Sequence, residues 1–106
     1  MIEVEYFRRK NRVKITGHAF SGEAGHDLVC AGVSALAYTL AANVGNMEDQ
    51  GQAEDVKIKL DKGHGVIRCS ASEGCEDMVR RIFEAVCVGF EVMAINFPKN
   101  ISYSVR

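Results

Sequence analysis

The stretch Leu28–Val44, LVCAGVSALAYTLAANV, limits the possible folds more than any other, because it carries no charged side chain. Val29, Val33, Leu36, Leu40 and Val44 recur at helical spacing, and Ala31, Ala35, Ala37, Ala41 and Ala42 fill most of the remaining surface. A helix apolar nearly all round must be covered on both sides. In a chain of 106 residues a sheet can cover one side, and a second copy is a natural cover for the other. Gly32, Ser34, Thr39 and Asn43 interrupt the run, so the segment falls short of a membrane span. The helix is expected from Asp27, whose carboxylate suits an N-cap, to Val44.

Strands are expected on either side of it. Ile2, Val4 and Tyr6 alternate with Glu3 and Glu5, and Val13 and Ile15 alternate with Lys14 and Thr16. The basic run Arg8–Arg12 reads as the exposed connection of that hairpin, or as a phosphate contact. After an acidic connection over 46–55, Val56, Ile58 and Leu60 alternate with lysines, DKGHG turns the chain, and Val66–Ala71 returns. A second helix starts near Ser72–Glu76, with Met78, Val79, Ile82, Phe83, Val86, Phe90 and Met93 facing inward. Its second half, Ala85–Phe97, is apolar on most sides, and Pro98 ends it. Ile101, Tyr103 and Val105 form a last strand. The order β-β-α-β-β-α-β predicts a two-layer α/β sandwich, a mixed or antiparallel sheet with two long helices, in one domain over 1–106.

Charge and cysteine usage narrow the class. A net charge of −1 argues against broad binding to nucleic acid or an anionic membrane, though not against a local basic patch. The opening MIEVEYFRRK has no apolar run and does not read as a secretory signal. Cys30, Cys69, Cys75 and Cys87 contain no CxxC spacing and read as reduced thiols of a cytoplasmic protein.

The reactive residues cluster between Gly17 and Ser34. Cys30 stands about three residues into the helix, where unpaired N–H groups and the dipole favour an anion. The plain alternative is a small buried hydrophobe. Cys69 alternates with Ile67 on a strand and Cys87 lies mid-helix among Val86, Val88 and Phe90, so both read as core, while Glu73, Glu76 and Asp77 crowd Cys75. His18, ending the second strand, and His26, just before the helix, could each take the thiol proton. Residue chemistry alone does not choose between them. His64 reads as an exposed turn residue. A metal site from His18, His26, Cys30 and Asp27 matches no familiar ligand spacing, so none is expected. Ser34 lies one turn after Cys30, either bonded back to its carbonyl or lining a pocket beside the thiol.

GHA at 17–19, G-x-D-x-V-C at 25–30, and Ser34 together resemble the ribosomal-processing cysteine proteases of the Prp family. That resemblance implies a homodimeric cytoplasmic endopeptidase that needs no cofactor. It implies removal of an N-terminal extension from the precursor of large-subunit ribosomal protein twenty-seven, after a Phe-Phe pair. It also assigns His18 as base and Cys30 as nucleophile, with Asp27, Ser34 and Gly17 in support. The connection carrying Ala19, Phe20, Ser21, Gly22, Gly25 and His26 is then expected to close over the substrate. The rival reading is a non-catalytic, dimeric ribosome-associated module that binds through Arg8–Arg12; the protease reading expects no direct nucleic-acid binding and no membrane.

Overall fold

Alternation sorts the strand side chains onto two unlike faces. In the computed structural model, which describes residues 1–17 and 28–106, five strands and two helices follow the expected order. They are β1 (Ile2–Phe7), β2 (Arg12–Thr16), α1 (Leu28–Asp49), β3 (Ala53–Asp61), β4 (His64–Ala71), α2 (Glu76–Asn96) and β5 (Ile101–Val105). The sheet order is β3-β4-β2-β1-β5. β5 runs parallel to β1 and all other neighbours are antiparallel, so the sheet is mixed. Tyr6, Val13 and Ile67 lie opposite one another across three strands on one face. Glu5, Lys14 and Val66 do so on the other.

Both helices cover the apolar face. α1 packs on β3 and β4, α2 packs on β5, and the helices pack on each other. Val33, Leu40 and Val44 of α1 meet Val79, Phe83 and Phe90 of α2 in one core with Val4, Ile15, Ile67 and Ile101 of the sheet. Burying each such side chain contributes roughly 1.5–3 kcal/mol, which makes this interface the main source of stability. The Phe83 ring also lies stacked near the Tyr6 ring, 6.2 Å between centroids. Two glycines let the helices approach closely. A Cβ on Gly32 would meet Met93 Cε at 2.6 Å, and one on Gly89 would meet Leu36 Cδ2 at 2.7 Å.

Several boundaries differ from expectation. α1 continues five residues past Val44 to Asp49 and β3 begins at Ala53, so only 50–52 of the expected 46–55 connection joins them. Met47, 3% exposed, extends the buried stripe by one turn, and its packing outweighs the acids that α1 places at its negative end. Lengthened in this way, α1 is long and apolar enough to cross a membrane by length and composition, which corrects the shorter estimate. Its residues Val29, Val33, Ala37, Leu40, Val44 and Met47 are buried against the sheet and α2, as in a core helix. Leu36 is half-buried. β4 begins at His64, which is exposed and pairs with Thr16 and Asp61, so the turn is tighter than expected. The basic run is a 3-10 turn over Arg8–Lys10, closed by Asn11 in the left-handed region, with Arg12 already in β2.

Candidate active site

The site is built at the junction of β2 and α1. β2 delivers the chain to Gly17, whose φ of +117° is strained for any L residue with a side chain. A Cβ there would overlap the Met1 carbonyl oxygen and come within 2.9 Å of Ile2 Cα. The Gly17 N–H donates to the Gly63 carbonyl at 3.2 Å, so the β3–β4 turn clamps the other side. Gly17 thus fixes the point from which the segment 18–27 departs. His18, Ala19, Phe20, Ser21, Gly22, Gly25, His26 and Asp27 lie outside the described residues, as do the capping role expected of Asp27 and three of the four groups of the metal alternative.

At the far end of that segment stands Cys30, the third residue of α1. It is 7% exposed and packed with the core residues Val29 and Val33. Among the described residues, the first turn of α1 contains no acidic side chain. Cys75 is placed differently: it caps α2, whose first turn carries Glu76 and Asp77. Ser34 is half-buried, one turn beyond Cys30. Further along α1, Thr39 and Asn43 hydroxyl and amide groups donate to carbonyls four residues back, at 2.8 and 2.9 Å.

The remaining thiols are structural. Cys69 is 1% exposed and Cys87 is 2% exposed, both in the core. Burial pushes the Cys69 thiol upward. Burial also drives Cys87 up to about 11, against the lowering effect of a hydrogen bond with Tyr103 and with a further rise from nearby Glu84. Neither is a nucleophile near neutral pH. All four cysteines are thiols and none is in a disulfide.

The described residues thus place a thiol in the first turn of α1, packed on the α/β layer beyond a clamped strand end. The model of a family described as Cysteine protease Prp matches residues 1–102. The chain belongs to that family and is a cysteine protease, which removes the non-catalytic alternative. It is similar, at 27% identity, to the essential ribosomal processing protease Prp from S. aureus in complex with a substrate peptide, with TM-score 0.70 and 100% of both chains covered. The same S. aureus protease with a covalently linked product peptide matches at 27% identity, TM-score 0.72 and 100% of both chains. SMU.848 from Streptococcus mutans matches at 26% identity and TM-score 0.66, over 98% of this chain and 90% of that one. No match is found among curated proteins.

Sequence reasoning missed Gly32 and Gly89. Gly32 reads from the sequence only as an interruption of an apolar run and Gly89 has no assigned role, whereas both set how closely α2 supports the helix that carries Cys30. Their signal was present, since a glycine inside a helix costs about 1 kcal/mol against alanine and needs a packing reason.

Proposed function

We propose that this cytoplasmic endopeptidase matures a ribosomal protein. It removes the N-terminal extension of the precursor of large-subunit ribosomal protein twenty-seven by cutting after a Phe-Phe pair. The observation that carries this reading is the full-length match to a ribosomal processing protease holding a covalently linked product peptide, together with a thiol at the helix start. His18 accepts the Cys30 proton, and the sulfur attacks the carbonyl carbon after the second phenylalanine. Backbone N–H groups of the first turn of α1 hold the developing oxyanion. His18 then returns the proton to the leaving amine as the C–N bond breaks. A water, deprotonated by His18, hydrolyses the thioester and restores the thiol. Asp27 orients His18 or caps the helix, Ser34 lines the pocket, and the segment 19–26 closes over the peptide with Phe20 against its aromatic side chains. The enzyme acts as a homodimer. Val88, Val92 and Ile95 support this, because they form an exposed apolar stripe along α2 on the side away from the core.

The test is incubation with a peptide spanning the precursor junction, followed by mass spectrometry. Two fragments divided after Phe-Phe are expected, with the rate lowered at least about 1,000-fold by Cys30→Ala or His18→Ala. Cleavage that persists in Cys30→Ala would remove the thiol mechanism. Cleavage elsewhere in the peptide would remove the specificity.

A further inference from the structure

The basic turn belongs to a larger feature that peptide cleavage leaves unexplained. At the end of the sheet where β2 begins and β4 finishes is an open cavity of about 640 Å³, walled by Arg9, Lys10, Arg12, Lys57 and Arg68. One carboxylate, Glu76, faces it. Strand pairing builds the cationic row: Arg12 lies directly opposite Arg68, and Arg68 directly opposite Lys57. Like charges in register across strands are destabilising, and strands stand only about 4.8 Å apart. Elsewhere four cations find carboxylates: Arg8 pairs with Glu84 at 3.5 Å, Lys59 with Asp61 at 3.6 Å, Arg80 with Asp77 at 2.6 Å and Arg106 with Glu5 at 3.1 Å. Among the described residues, the five cations of the cavity make no ion pair. Arg12 Nε is buried without a partner, and its guanidinium rests over the Phe7 ring at 5.0 Å.

From this we infer, in departure from the expectation of no direct nucleic-acid binding, that the cavity is a binding surface for the phosphate backbone of single-stranded RNA. A spaced row of cations beside an aromatic ring is the chemistry that tracks a single strand and stacks a base. Three of the five cations are arginines, whose planar fork suits phosphate. An acidic peptide would use the charges but not the Arg12–Phe7 platform. The choice of RNA over DNA rests on the proposed substrate, a protein made to sit on RNA. β2 separates this surface from the peptide site, since Arg12 starts the strand and Gly17 follows its end. The net charge of −1 leaves room for such a local patch because acids elsewhere cancel it.

The experiment is fluorescence anisotropy of a labelled single-stranded RNA 20-mer with the full chain, alongside peptide cleavage measured without RNA. Saturable binding is expected, weakening about 100-fold between 50 and 200 mM salt if five phosphates are contacted. The double variant Lys57→Glu, Arg68→Glu should bind at least about 10-fold more weakly, and Lys57→Gln, Arg68→Gln should lie between, with peptide cleavage unchanged in both. Absence of saturable binding at 50 mM salt, or unchanged binding by the double variant, overturns the inference. So does tighter binding of a heparin fragment of equal charge, which would assign the surface to another polyanion. Loss of peptide cleavage specificity with RNA binding intact would instead count against the proposed protease substrate alone.

Discussion

Gly17 and Cys87 illustrate how single residues carry opposite burdens. Gly17 has no side chain because none fits between the Met1 carbonyl and the Ile2 backbone. Gly17→Ala is expected to cost about 2–4 kcal/mol, since backbone atoms cannot step aside and φ is unfavourable as well. Urea denaturation checks the stability. A cleavage rate reduced under conditions where the variant is still folded would show that the departure point of 18–27 matters to catalysis. Cys87, with Tyr6 and Tyr103 beside it, works through burial. Burial raises all three, Cys87 to about 11 and Tyr6 to about 12. In the unfolded chain the thiol ionises near pH 9, so between pH 9 and 11 the unfolded state binds fewer protons and stability falls as pH rises. The loss from Cys87 is on the order of 2 kcal/mol. Denaturation midpoints from pH 8 to 10.5 should fall, and Cys87→Val should flatten the decline.

At the scale of elements, the contact between α1 and α2 decides where the nucleophile sits. Gly89 meets the Leu36 methyl groups, which are the movable end of a half-buried side chain. Gly89→Ala sets a gain in helix propensity of about 1 kcal/mol against that collision. In the natural chain the collision is expected to win by about 1 kcal/mol. In a Leu36→Ala background the same change should become neutral or stabilising. A double-mutant cycle by chemical denaturation measures the reversal, and independent effects would mean the helices are less tightly apposed.

For the molecule as a whole, the sheet has one face under helices and one open, and α2 has a second apolar stripe. The proposed homodimer places that stripe in its interface. Val92→Glu with Ile95→Glu is expected to give a monomer by sedimentation velocity with the far-ultraviolet spectrum unchanged, because both side chains are already exposed. An unchanged sedimentation coefficient would move the interface elsewhere. Net charge leaves the local distribution open at this scale: a chain at −1 gathers five cations around one cavity.

Local chemistry was enough to determine the element order, the helix bearing Cys30, and the sorting of Cys69 and Cys87 into the core. Periodicity is written residue by residue, and Cys87 falls at helical spacing on the stripe of Val79, Phe83 and Phe90, all of them buried. Element ends were less legible, because Met47 joins α1 through a contact distant in sequence rather than through propensity. Three features belonged to tertiary structure alone: both helices on one face, the glycine-mediated approach of α2 to α1, and the register that sets Arg12, Arg68 and Lys57 in a row. Each depends on which strand or helix becomes a neighbour. Burial of the whole apolar face settles that choice, and no local stretch of sequence encodes it.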